Sequence, residues 1–542
     1  MIGDNPSRFH SSREQGATVK DWGGRIPVAL VFPGTYHIGM SSLGYQTVYS
    51  ILNSYNDIVC ERVFSDSNYK SIESDRPLSD YAVIAFSISS ELDYFNAIEM
   101  MSSSSIPLKS ADRGPSHPVI VAGGPCVTAN PEPLTPFLDA FVIGEGEPIL
   151  PAFVDVITDT AGGSRDDTLQ GLADINGMYV PRLNKGRTVT RQWVRNLDDF
   201  ATTSAVLTRY TEFSNMYLVE VARGCPWGCR FCLAGYLFRP YRFRSASNLL
   251  KQCEQGLKLT GKIGLLGACV SDHPEIDELT SQLRKMGAAI SVSSLRVKPL
   301  SDAVLRALKE SGAGNLTLAP EAGSEMLRRA INKGINGEDI ISAADRIIHA
   351  DFRQLKMYFM IGLPTETEDD IEEIIALASE IKERGERRRS GCRIILAIEP
   401  FVPKAGTPFQ RLPMAGEKVL RKRLSYLKRR LEKRGIEVRS ESVPWAVVQA
   451  VLSRGDGRLA PALAATAGDR TLSTWRKALS DSSIDADFYI GREIPLKERL
   501  PWNYIDSGVK NDYLETEAER ASEGRTTPPC PIGTECHRCG VC

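Results

Sequence analysis

No apolar run in this sequence approaches the roughly 20 residues that span a bilayer, so a membrane-spanning helix is not expected. The N-terminal stretch carries no apolar core of the kind a secretory signal needs. Charge of one sign is also missing: 66 basic against 67 acidic residues leave a formal net charge of −1. No global field therefore draws a polyanionic partner. Disordered and collagenous compositions are excluded by 42% hydrophobic and 25% charged residues. The expectation is a soluble, cytoplasmic protein; its 542 residues are long enough for about three domains.

Cysteine is sparse over most of the length and dense in two places. Seven of the 12 form the groups Cys225/Cys229/Cys232 and Cys530/Cys536/Cys539/Cys542. Tight groups in a long chain of this kind point to metal rather than to a disulfide framework. The scattered Cys60, Cys126, Cys253, Cys269 and Cys392 are expected to pack as small apolar residues.

The first third reads as strands at 26–32, 81–87, 118–122 and 140–143 alternating with helices, which predicts a doubly wound parallel sheet over 21–160 after a polar tail at 1–20. Its informative residues lie at the carboxyl ends of strands: His37, Ser87, and Gly123-Gly124. A purely structural sheet needs the same glycine turns. Residues 161–205 read as a linker, with 177–181 and 187–191 able to pair as short strands.

Strand and helix alternate again over 206–435, with strand candidates at 217–222, 263–266, 289–293, 316–319, 356–361 and 393–398. Six such repeats predict a partial barrel, (β/α)6 and TIM-like, with reactive groups at the carboxyl ends of its strands. Cys225, Cys229 and Cys232 fall there, in the C-x3-C-x2-C loop beyond the first strand. Thiolates suit iron–sulfur clusters, and three of them leave one iron of a four-iron cluster open. A closed structural zinc site wants four ligands, and no fourth lies nearby in sequence.

That motif, with Phe231 before its last cysteine, resembles the radical S-adenosylmethionine (SAM) superfamily. The resemblance implies a 4Fe-4S cluster on Cys225, Cys229 and Cys232 that cleaves SAM reductively to a 5′-deoxyadenosyl radical, fed by a flavodoxin- or ferredoxin-like electron donor. It implies SAM contacts from Gly267, Ser294, Arg296, Glu321, Ile361 and Gly362; of the family's Gly-Gly-Glu-like turn only Gly267 is present. For Arg296 and Glu321 a plain salt bridge at the barrel mouth is the competing expectation.

With the Gly123-to-Glu147 stretch added, the chain is similar to the cobalamin-binding branch of that superfamily. This implies cobalamin near Ser87, Gly123 and Gly124, with His37 as a possible axial ligand beside a cofactor held without one. The resulting expectation is cobalamin-dependent methylation of an unreactive carbon of an unknown substrate. The alternatives are a methylthiotransferase modifying RNA or protein, and a non-enzymatic metal- or RNA-binding protein. Against the former stands an N-terminal region holding only Cys60 and Cys126.

The region 436–542 is expected to be small and helical, ending in the second cysteine group, where four thiolates suit either a second iron–sulfur cluster or zinc. The basic helix expected over 417–435 is read as a solvated face, with nucleic acid the less favoured partner.

Overall fold

The computed structural model describes residues 13–293, 295–531 and 536–542. A first α/β unit holds a six-stranded sheet: β1 (Ile26–Phe32), β2 (Ile58–Phe64), β3 (Val83–Ser87), β4 (Val119–Gly123), β5 (Ala140–Val142) and β6 (Met178–Tyr179). The strand order is β2-β1-β3-β4-β5-β6. The first five are parallel and β6 is antiparallel. The order 2-1-3-4-5 is the flavodoxin-like form of the doubly wound sheet.

β2 escapes the sequence reading because Glu61 and Arg62 interrupt its apolar run. Both are buried in the fold by partners from elsewhere. Glu61 accepts hydrogen bonds from Trp22, Ser74 and Tyr81. Arg62 is clamped between Glu14 and Glu73 at 2.6 and 2.7 Å. The short strands expected in the linker are also present but pair otherwise than with each other. β6 closes the edge of the first sheet, and β7 (Val189–Thr190) pairs in parallel with a strand far along the chain, at Ile505–Asp506.

The barrel begins with β8 (Tyr217–Glu220). A short antiparallel pair follows, β9 (Ala222–Arg223) with β10 (Arg242–Phe243). The remaining wall strands are β11 (Lys262–Leu266), β12 (Ala289–Val292), β13 (Asn315–Glu321), β14 (Gln354–Ile361), β15 (Arg393–Pro400) and β16 (Glu437–Ser440). They form two parallel sheets, β12-β11-β8 and β13-β14-β15-β16, parted between β12 and β13. This is the expected partial barrel with one strand more: β16 lies just past the expected boundary at 435 and pairs in parallel with β15.

In β14 buried Leu355, Met357, Phe359 and Ile361 alternate with half-buried Lys356, Tyr358 and Met360. The buried set belongs to the apolar core under the helices, and the other set faces the barrel interior. The basic helix forms at Glu417–Glu432 and is not a bare cationic face. Arg423, Lys422 and Arg430 pair with Glu366, Glu368 and Glu372 of the neighbouring turn and helix. Helices at Val443–Arg454 and Leu472–Asp481 pack back on the first unit, where Phe95 meets Trp445 and Trp475 edge-on. Among the described residues no helix is long and apolar enough to cross a membrane.

Candidate functional site

The first cysteine group sits on a loop pinched at its base. β9 and β10 pair Arg223 with Arg242 and Ala222 with Phe243, so residues 224–241 form one closed excursion from the barrel. Gly224 starts it at φ +80°, and a Cβ there would lie 2.4 Å from the Phe238 carbonyl. Only glycine fits that crossing.

Carboxylates from both units hold the base. Glu145 of the first unit binds Arg223 at 2.8 Å and Arg242 at 2.7 Å, and accepts the Val194 N–H at 2.8 Å. Glu147 and Glu220 each bind Arg223 at 2.8 Å, and Glu220 also binds Arg244 at 2.9 Å. Burial works against the charge of Glu145, and Arg242 and Arg223 overcome it to hold the carboxyl below its ordinary range. The turn Gly144-Glu145-Gly146-Glu147 thus fastens the two units together at Arg223, two residues before Cys225.

Within the loop the three thiols lie in electrostatic reach of one another. The Cys232 N–H donates to the Cys229 carbonyl at 3.0 Å, turning the chain between those ligands. Burial lifts the Cys229 thiol and takes Cys232 to about 12. Cys225 moves the other way, to about 7, chiefly through a hydrogen bond from Cys269. Cys269 is therefore not an isolated packing residue as expected: it ends the β11 segment against Cys225 and Gly224. Its position just beyond the carboxyl end of a barrel strand was the available signal.

Two cations flank the thiols. Arg296 stacks on Trp227 at 4.0 Å, and Asp272 accepts the Trp227 indole N–H at 2.7 Å. Lys333, buried, binds Glu321 at 3.0 Å. Burial opposes its charge, but Glu321 and the Cys229 thiol outweigh that and raise its pKa. Lys333 was missed because it lies in a turn after a helix rather than at a strand end. Among the described residues no three His, Cys, Asp or Glu side chains converge as ligands of a single ion must. Thiolates of a multi-iron cluster bind different irons and need not converge on one point. Three soft donors on one closed loop with cations beside them fit such a cluster.

Of the other residues the resemblance implied for SAM, Glu321 and Arg296 stand at this mouth. Gly267 is braced to β12 by the Ser293 hydroxyl, at 3.3 and 3.1 Å. Ile361 is buried, and the Gly362 N–H donates to Glu366 at 2.6 Å. Ser294 lies outside the described residues.

The candidate cobalamin residues are differently placed. His37 is half exposed and faces Glu212 at 3.7 Å. Ser87 pairs with Gly123 at the carboxyl ends of β3 and β4. Gly124, at φ +118°, exists for a backbone crossing: a Cβ would lie 2.2 Å from the Ile88 carbonyl. Protein occupies much of this edge, since Cys126 bonds the Ser89 carbonyl, Glu91 binds Lys404 at 2.6 Å, and Asn130 reaches the carbonyls of Ser453 and Gly455.

The second cysteine group lies against the first loop, with the Cys530 N–H donating to the Pro226 carbonyl at 2.7 Å.

Comparison with known proteins agrees with this layout. Residues 44–181 match the family described as "Radical SAM proteins, N-terminal" and residues 219–378 match "Radical SAM superfamily". The chain is 33% identical over 436 residues to the uncharacterized protein MJ0966 of Methanocaldococcus jannaschii, covering 80% of this chain and 89% of that one. It is 27% identical over 278 residues to the uncharacterized methyltransferase PH0819 of Pyrococcus horikoshii, 48% of this chain and 58% of that one. Among solved structures, the radical SAM methyltransferase TsrM from Kitasatospora setae is similar at 13% identity and TM-score 0.49, over 92% of this chain and 96% of that one. The chain belongs to the radical SAM superfamily.

Proposed function

We propose that Cys225, Cys229 and Cys232 hold a 4Fe-4S cluster at which this protein cleaves SAM. The carrying observation is the closed loop with three thiols at the carboxyl end of the first barrel strand, flanked by Lys333 and Arg296. When bound, the cluster supplies the electron that breaks a carbon–sulfur bond of SAM. The chain's own residues hold and orient. Lys333 and Arg296 offer cationic donors for the SAM carboxylate, and Glu321 offers an acceptor while fixing Lys333. The Glu145–Arg223 and Glu145–Arg242 pairs keep the loop's base from shifting against the barrel. Interior-facing Lys356, Tyr358 and Glu399 present the polar groups a substrate meets, with the Lys356 ammonium on the Tyr358 hydroxyl at 2.8 Å. An external electron donor completes the reaction. Anaerobic incubation of the iron-loaded protein with SAM and a reductant tests the reading through formation of 5′-deoxyadenosine.

The finer reading is methyl transfer to an unreactive carbon. Similarity to PH0819, a protein named as a methyltransferase, supports it. The flavodoxin-like strand order supports a corrinoid partner, while the backbone crossing at Gly124 and the half-exposed His37 facing Glu212 weigh against one. Purification with cobalamin supplied tests that part: a protein that retains no corrinoid absorbance removes cobalamin from the account. The methylthiotransferase alternative draws support from similarity to such enzymes, for example 24% identity over 225 residues to one from Thermoanaerobacter. Cys60 and Cys126 weigh against it, being buried on separate elements of the first unit.

A further inference from the structure

Arg239, which follows the helix Ala234–Leu237 of the cysteine loop, is only 2% exposed. Its guanidinium donates to the Gly235 carbonyl at 2.7 Å and lies against the rings of Tyr236 and Tyr513. Among the described residues no carboxylate pairs with it. A buried cation without an anion is costly. The Tyr236 and Tyr513 rings it lies against share one buried cluster with Cys539, which places the guanidinium beside the second cysteine group.

The chain around those thiols is wrapped onto the cysteine loop. Arg230, buried between Cys229 and Phe231, binds Glu517 at 3.0 Å and the Arg525 carbonyl at 2.8 Å. Asn332 bridges the Gly228 and Thr527 carbonyls at 3.1 Å each. The tail then turns back on itself. Arg538 reaches the carbonyls of Pro528 and Pro529 and the Cys536 sulfur, and the Cys539 carbonyl accepts the Lys510 N–H at 2.9 Å. Cys539 is buried beside Tyr236 and Leu514.

We propose that Cys530, Cys536, Cys539 and Cys542 bind a second, thiolate-ligated metal centre that supplies the anion missing at Arg239 and clasps the tail over the first cysteine loop. A tetrathiolate zinc site and a fully ligated iron–sulfur cluster are both net negative and share this chemistry. The side chains do not converge as a single ion requires, so zinc would demand rearrangement of the tail.

The test separates this centre from the first. The variant Cys225→Ala/Cys229→Ala/Cys232→Ala, purified anaerobically, is expected to keep about one metal centre per chain. Zinc, or iron with acid-labile sulfide, upholds the site, and elemental analysis tells them apart. Adding Cys536→Ser and Cys542→Ser is expected to remove that metal and to speed tryptic cleavage of the tail. The same two serines in the otherwise native chain are expected to lower metal content by one centre, which keeps the test valid if the triple variant does not fold. A folded triple variant without metal overturns the proposal, as does unchanged metal in the native chain carrying the two serines. Neither result depends on SAM cleavage.

Discussion

Glu399 carries a pH signature. It lies at the mouth end of β15, where burial and the nearby Glu441 push its carboxyl up to about 7. A folded pKa raised above the unfolded value gives a contribution present below the unfolded value, near 4.5, and lost as pH rises through 7. Glu399→Gln is therefore expected to match the native protein in thermal denaturation at pH 4 and to exceed it at pH 8. The gain should reach about 1 kcal/mol after allowance for partial exposure. An equal effect at both pH values contradicts this. Lys333 makes a different prediction, because its charge sits between Glu321 and Cys229. Lys333→Met should weaken SAM binding about tenfold or more, the loss of one charged hydrogen bond, as read by calorimetry on the iron-loaded protein. Neither residue was legible as important in the sequence. Glu399 looks like one polar residue in a strand, and Lys333 lies in a turn with no motif around it.

At the scale of elements, the cysteine loop was legible because its spacing is dictated by chemistry, whereas the parts that hold it were not. Glu145 and Glu147 stand about 80 residues before Arg223, and no local pattern announces that they meet it. Glu145→Gln leaves Arg242 and Arg223 underpaired in a buried site and should cost on the order of 3 kcal/mol of stability. A melting temperature equal to the native one would show that the clamp is not needed. Gly224→Ala forces a Cβ toward the Phe238 carbonyl at an unfavourable φ. It is expected to lower iron content of the purified protein while the circular dichroism of the barrel persists. β2 teaches the same lesson from the other side. Its central Glu61-Arg62 pair breaks the strand pattern in sequence, and only the fold shows the Glu14, Glu73, Trp22 and Tyr81 partners that make burial tolerable. β16 was hidden because four residues, half of them charged, carry too short a pattern to read.

Over the whole molecule, the first sheet, the barrel and the tail meet around one loop. Glu145 and Glu147 reach it from one side, and Glu517, Arg525, Thr527 and Cys530 reach it from the other. The alternation of strands and helices made both α/β units legible, since each periodicity reports its own element. The meeting of the three parts was not, because long-range ion pairs leave no mark in local sequence. The central claim is that the Cys225, Cys229 and Cys232 loop is where SAM is cleaved. Its most direct test is anaerobic incubation of the reconstituted protein with SAM and dithionite, followed by quantification of 5′-deoxyadenosine. The native protein is expected to accumulate it and Cys229→Ala is expected to form none. Equal product from both, or none from a native protein shown to hold its iron, would contradict the account.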